Sequence, residues 1–436
     1  MRLTPLPWPR LRAVLVTGVA VGALAHLALN LAVAQEPAAQ PPAAGAEVPG
    51  AETPLTLEDC LRMAAQSQPA LAAYRASLAA ADVQYRGLQK LHVPRFLARD
   101  LPIRRQQSCL GVRLASAGLS QAEWDNIYAV TRTYYGVVYA REQLKVAENV
   151  AASLKFYRDR VKELVDKGES REWTTSTVDK ITLYMRLAET RQAEAIRGRQ
   201  RANAALREAI GVPPDVPVRV AIEPMPVPKL QLSREQIVAE ALARRGEVIE
   251  ANTANEVVCL EVKAQGTTCR PTFRTFAAVV DIHAVPVPQG NNNGEYRPGA
   301  TSLEMPTTMA GPRWARVDRT RDFSARAAAV VDKTRNLVAL EAEDAYFKWE
   351  EADRKLPATR EATQAGARLS KHTREDFNAG QRVRIEDILT NEVLAGQAQA
   401  AYNEAVYQQV IALANLQRAT AGGFNAGLGG PAEVQP

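Results

Sequence analysis

Four histidines, four cysteines and one dense run of acids are the residues of this 436-residue chain that could do chemistry. His26, His92, His283 and His372 are scattered, and no pair has the spacing of metal ligands or of a His-Glu-x-x-His helix. His92 and His372 read as solvated helix residues, and His283 as a strand residue beside a loop. Glu341, Glu343, Asp344, Glu350, Glu351 and Asp353 are the nearest thing to a carboxylate cluster. Lysines and arginines are interleaved with them around one helix, which is the pattern of a solvated charged face rather than an acid/base pair. Cys60, Cys109, Cys259 and Cys269 contain no Cys-x-x-Cys, so neither a zinc site nor a thioredoxin-like pair is signalled. Disulfides in an oxidising compartment and small buried residues on helix faces both stay open. There is no Gly-rich phosphate loop. The chain reads as a non-enzyme with no catalytic, cofactor-binding or metal-binding constellation.

The elements must then be read for what they build. Residues 1–34 form a secretory signal: Arg2, Arg10 and Arg12 precede an apolar run from Ala13 to Val33, closed by the small residues Ala32-Val33-Ala34. A single membrane anchor is the competing reading, since the run is nearly long enough to span a bilayer. Removing 1–34 removes those three arginines and no acid, which lowers the formal charge from +6 to +3. No basic stripe with interleaved aromatics appears, so nucleic acid is not an expected partner. Residues 35–54, rich in Pro, Ala and Gly, form a flexible leader.

The remainder says the same thing twice. At an offset of 177, Ala64, Pro94 and Phe96 fall on Ala241, Pro271 and Phe273. At an offset of 212, Tyr134, Leu144, Gly168 and Gly211 fall on Tyr346, Leu356, Gly380 and Gly423. The unit is far longer than a solenoid repeat of about 20 to 50 residues. It is a tandem duplication of one long-helical module. The first repeat spans 55–211, a proline-rich linker spans 212–232, the second repeat spans 233–423, and 424–436 form a flexible tail. In the first repeat a helix is expected from a Thr56 cap to about Leu91, a longer one from about Arg104 to Asp166, and a return helix over Thr175–Ile210. In the second, helices are expected over 233–264, from about Asp322 to Phe377 with a kink at Pro357, and over 385–420. Val137, Leu144, Ala147, Ala151, Leu154, Val161 and Val165 follow steps of three, four and seven, a heptad-like seam. That seam is expected to hold copies of the chain together.

The repeats differ where residues 97–133 stand opposite residues 274–345. In the longer version Phe276, Ala278, Val280, Ile282 and Ala284 alternate with more polar neighbours, and a weaker extended segment returns near Ala300–Thr308. A β-hairpin at about 273–308 follows. Its first strand has the period and length of a membrane strand, and a hairpin packed on its own protein fits as well. The fold class is mainly α: duplicated long antiparallel helical hairpins with one small β-hairpin.

This order resembles the TolC-like outer-membrane efflux proteins. Leu55-Thr-Leu-Glu-Asp-Cys-Leu-Arg-Met-Ala64 is similar to their mature start. Val165-Asp-Lys-Gly168 and Phe377-Asn-Ala-Gly380 are similar to their hairpin tips, and Ile385-Glu-Asp-Ile-Leu389 to the run after the second tip. The likeness covers about residues 55–425. It implies a homotrimer whose long helices form a periplasmic tube joined to an outer-membrane β-barrel, docked to a periplasmic adaptor and an inner-membrane pump. On that reading the chain is a passive conduit subunit of a tripartite exporter. Gly168 and Gly380 mark the adaptor-facing tips, and Glu386 and Asp387 are candidate aperture acids that threefold symmetry would turn into a ring.

Two departures are visible. Family members usually supply a β-hairpin from each repeat, whereas 97–125 here reads as helix. The acids stand six and seven residues after Gly380, while the first tip carries Thr174. One hairpin per chain gives a trimer six strands, below the usual minimum of about eight. The alternative is therefore a non-transporting periplasmic coiled-coil scaffold of the same descent.

Overall fold

The computed structural model describes residues 54–94, 96–168, 173–228, 233–276, 305–380 and 383–428. These hold helices α1 (Leu57–Ser67), α2 (Pro69–Lys90), α3 (Leu101–Asp166), α4 (Thr175–Ala209), α5 (Arg234–Arg244) and α6 (Gly246–Gln265). Strands β1 (Thr272–Arg274) and β2 (Thr308–Ala310) follow, then α7 (Arg313–Asn378) and α8 (Ile385–Ala419). The bounds restate the duplication. Leu57 to Arg234 and Pro69 to Gly246 are both steps of 177, and Leu101 to Arg313 is a step of 212.

The long helices start earlier than the expected Arg104 and Asp322, because prolines open both. Pro102 lies in the first turn of α3 and Pro312 caps α7, positions where a missing N–H costs no helical bond. Each is 66 residues, about 100 Å long at 1.5 Å per residue. Helix α7 runs unbroken through Pro357.

The single helices expected over 55–91 and 233–264 are each broken once, at equivalent places. Gln68 takes ψ 116 ahead of Pro69, whose ring disfavours helical backbone in the residue before it. Arg245 takes ψ 130 ahead of Gly246. A Cβ on Gly246 would lie 2.6 Å from the Ala117 carbonyl oxygen, so the glycine is what lets α6 approach α3. Capping boxes open α1 (Thr56 with Asp59) and α5 (Ser233 with Gln236).

Packing makes a single layer of helices. Toward the tips its order is α4, α3, α8, α7; toward the other end it is α2, α3, α6, α7. Helices α1–α2 take over where α4 ends, and α5–α6 where α8 ends. At the first joint Ser67 Oγ donates to the Ile210 carbonyl (2.7 Å), and Gln68 Nε2 donates to those of Glu208 and Ala209 (both 3.1 Å). Carbonyls that the end of α4 would leave without partners are satisfied by the start of the next helix.

The main core lies at this middle level, where Leu61, Ala64, Val130, Tyr134, Leu206, Ile237, Trp349 and Leu413 meet. Cys60 is buried there and burial pushes its thiol up to about 12; all four cysteines are free, and Cys109, Cys259 and Cys269 are exposed. The linker lies on this core. Leu55 and Val220 form a parallel bridge, with Leu55 N–H on the Arg219 carbonyl at 2.8 Å. The flexible tail expected over 424–436 needs correction at its start: Ala426 and Leu428 are buried in the core cluster, and Phe424 packs against it. Residues 429–436, the signal and the leader up to residue 53 lie outside the described residues.

The β-hairpin is described at its base alone. Phe273 pairs with Met309, and Thr275 N–H donates to the Thr307 carbonyl at 2.9 Å. The alternating run from Ala277 to Ala284 and the return over Ala300–Glu304 lie outside the described residues. The first repeat crosses from α2 to α3 through residues 91–100, where no strand occurs among the described residues.

The seam is a correction of another kind. Val137, Leu144, Ala151, Leu154 and Val161 are buried within one chain, so this face holds the layer together rather than joining copies. Leu154 is 0% exposed and packs with Ile181 and Met185 of α4 and Phe377 of α7. Leu154→Ala should cost about 2–5 kcal/mol through the cavity it leaves. Leu154→Lys should already cripple the isolated chain, because a charge would be desolvated there. Urea unfolding of the dissociated protein checks this; loss of assembly with unchanged chain stability would return the seam to the interface.

Candidate functional site

Two tight reversals form one end of the body. Gly168 and Gly380 have φ +67 and +70, the left-handed region that L side chains resist. Lys167 N–H bonds back to the Glu163 carbonyl (3.1 Å) and Ala379 N–H to that of Glu375 (2.9 Å), closing the last turns of α3 and α7. Beneath them Leu154, Tyr157, Val161, Ile181, Met185, Phe377, Ile385, Ile388 and Leu389 make a closed apolar cluster. Phe377 is its hub, stacked on Trp173 at 5.5 Å and edge-on to Tyr157 at 5.1 Å. The buried Glu392 carboxylate accepts from Ser370 Oγ at 2.8 Å and from Tyr157 Oη at 3.3 Å, and Arg374 donates to Ser153 Oγ at 2.8 Å. The Tyr157 and Arg374 bonds cross between the two repeats and tie the helix ends beneath both tips together.

Glu386 and Asp387 lie in the first turn of α8, both exposed. The structure does not leave them as an equal pair. Glu386 Oε1 accepts from Lys180 Nζ of α4 at 2.7 Å, and that bond holds its carboxyl below the usual range. Asp387 has no such partner among the described residues. Lys180 was not singled out by sequence reasoning, because its partner lies 206 positions away.

A second constellation was missed altogether. Arg245, fully buried at the break between α5 and α6, contacts Glu247 (Nε to Oε2, 2.9 Å) and Glu341 of α7 (Nη2 to Oε2, 2.7 Å). Arg418, at the end of α8, bonds Glu341 and also Asp125 of α3, the latter at 3.1 Å. Burial works against the Arg418 charge, but Glu341 and Asp125 outweigh it and raise its pKa. The acidic run around Glu341 is thus only partly a solvated face. Asp344, Glu350 and Glu351 make exposed i,i+4 pairs with Lys348, Arg354 and Lys355, whereas Glu341 is a buried tie between the break at Arg245 and the end of α8. Nothing local distinguishes Glu341 from its neighbours in sequence.

Two grooves follow the layer. One of about 870 Å³ runs over α3 between α4 and α8, lined by Val146, Val150, Tyr184, Leu187 and Gly396. The other, about 640 Å³ between α3, α7 and α8, is more polar, with Arg132, Lys348, Lys355, Tyr128 and Tyr407 on its walls. Among the described residues no three His, Cys, Asp or Glu side chains gather to hold a metal ion, and no helix is long and apolar enough to cross a membrane.

No family model matches the chain, and no curated protein matches it in sequence. Solved structures do match in fold. The outer-membrane channel OprN superimposes with a TM-score of 0.66 at 15% identity over 84% of this chain and 90% of its own. The Campylobacter jejuni CmeC outer membrane channel gives 0.67 at 12% identity over 85% and 86%. The open Neisseria gonorrhoeae MtrE outer membrane channel gives 0.63 at 15% identity over 84% and 89%. The fold is that of the TolC-like outer-membrane efflux channels.

Glu250 of α6 offers a direct check on the packing. Burial, and then the charge of Glu247, push its carboxyl from 4.5 to about 7. A raised acid favours the folded state below its unfolded value, and that contribution is lost as pH rises through about 7, a change of at most about 3 kcal/mol. Glu250→Gln should therefore gain thermal stability over the parent as pH rises from 4.5 to 7, with little difference at the acid end. Melting curves across that range test it; parallel curves would show that Glu250 is solvated.

Proposed function

We propose that this chain is a subunit of an outer-membrane conduit in a tripartite efflux or export system, through which substrates pass without chemistry. The observation that supports this most is a layer of long helices with two uncovered edges. Toward the tips α4 forms one edge and α7 the other. Each edge keeps large apolar side chains in the open: Leu183 and Leu187 on α4, Phe347 and Leu369 on α7. The two edges differ, so joining them is a head-to-tail contact, and such contacts close into rings when the rotation permits. A trimeric ring would turn three layers into a tube, with its tips toward a periplasmic adaptor and inner-membrane pump. The matched solved structures are described as outer-membrane channels, in agreement with this reading.

The tips, Gly168 and Gly380, are then the partner-facing end, and Asp387 is the leading aperture acid. Glu386 is already neutralised in part by Lys180. A ring of carboxylates in a constriction selects for cations. Single-channel recording in a planar bilayer should show Asp387→Asn lowering cation preference more than Glu386→Gln, with the double variant lowest. Unchanged conductance and preference in the double variant would remove the aperture assignment. Absence of any channel activity in the parent, with no heat-modifiable trimer in outer-membrane fractions, would favour the non-transporting periplasmic scaffold.

A further inference from the structure

The end opposite the tips differs between the repeats. Helix α2 passes to α3 through residues 91–100 alone, while α6 passes to α7 through residues 266–312. Hydrogen bonds from α3 and α7 hold the two crossings at one surface. Arg105 Nη2 donates to the Leu91 carbonyl (2.8 Å), and Arg104 Nη2 to that of Arg274 (2.9 Å). Arg316 Nη2 donates to the Thr268 carbonyl at 2.8 Å. On this surface Phe96, Leu97 and Trp314 are 74%, 64% and 70% exposed, unusually open for side chains of their size.

Among the described residues of this surface the exposed charge without an ion pair is positive. Arg99, Arg270, Arg274 and Arg313 are exposed, and none has an ion pair among the described residues. The local acids are already engaged: Asp100 pairs with Arg104 at 3.1 Å, and the fully buried Glu261 with Arg104 and Gln107. By contrast, Arg160 and Lys167 near the first tip both pair with Glu163. Unpaired arginines beside an exposed tryptophan, phenylalanine and leucine match an anionic lipid surface: aromatic rings settle at headgroup depth and arginines meet the phosphates.

We propose that this crossover end seats on the surface of an anionic phospholipid bilayer through Phe96, Leu97, Trp314 and those four arginines. In the first repeat the crossing rests on the membrane instead of entering it as strands. The inference deepens the outer-membrane reading above and rests on it for the orientation of the body.

The test uses the full mature chain and vesicles of phosphatidylcholine with or without phosphatidylglycerol. Flotation should be strong only with phosphatidylglycerol, and lipids brominated near the headgroup should quench Trp314. Each arginine is worth about five-fold in partition, so the combined R99Q, R270Q, R274Q and R313Q variant should bind roughly several hundred-fold more weakly. Trp314→Phe should remove the quench and leave flotation nearly intact, since the other tryptophans lie away from this end. Flotation that ignores all these changes, or no flotation of the parent, overturns the proposal. So does a Trp314 that is shielded in lipid-free oligomers and stays unquenched by lipid, which would assign the patch to a neighbouring copy. A protein that conducts ions yet fails here loses only this surface. One that seats here but never conducts keeps the surface and loses the channel reading.

Discussion

A helix of 66 residues carries an apolar flank along its whole length, and in water that flank must be covered throughout for the helix to persist. This requirement organises the rest of the structure. Neither repeat supplies a second helix as long as α3 or α7. The cover is assembled from shorter pieces set end to end: α4 followed by α1–α2 along α3, and α8 followed by α5–α6 between α3 and α7. Each junction creates unsatisfied carbonyls at one helix end and N–H groups at the next. Ser67 and Gln68 meet that need at the first joint, and the Arg245–Glu341–Arg418 tie secures the second. The two breaks, at Gln68 and Arg245, are what allow the pieces to change over without losing contact with the long helices.

Among the described residues this layer carries open grooves rather than an enclosed cleft, and its edges and ends are what it presents to partners. Beneath the tips Phe377, Trp173, Tyr157 and Glu392 clamp the two hairpins together. The crossover end is asymmetric, short in the first repeat and long in the second. Duplication preserved the helices, whose lengths must match, while the two crossings came to differ in length.

The buried charges follow the same logic. A buried ion pair is weak evidence for stability, since desolvation offsets much of the attraction, yet removing one partner strands the other. Arg245, Glu341 and Arg418 join three helix segments from the second repeat and, through Asp125, the first. An apolar replacement would pack the same gap but would not fix which helix end meets which. We read the tie as a register device between α8 and the break at Arg245.

The duplication, the helix order and the tip glycines were legible in the sequence, because each rests on spacing or on a short-range rule. Offsets of 177 and 212 survive as spacing whatever the tertiary structure does, and a glycine after a long amphipathic run marks a reversal wherever it is placed. The tertiary structure decided what depends on distant partners. It turned the Leu144–Leu154 seam inward, because Ile181, Met185 and Phe377 arrive from other helices to cover it. It divided Glu386 from Asp387 by bringing up Lys180, and it singled out Glu341 from a run of otherwise similar acids. It also buried Ala426 and Leu428 in a tail whose composition reads as loose. Periodicity says which face of a helix is apolar; only the assembled layer says what that face meets, since the energy of burial belongs to the pair and not to either strip of sequence.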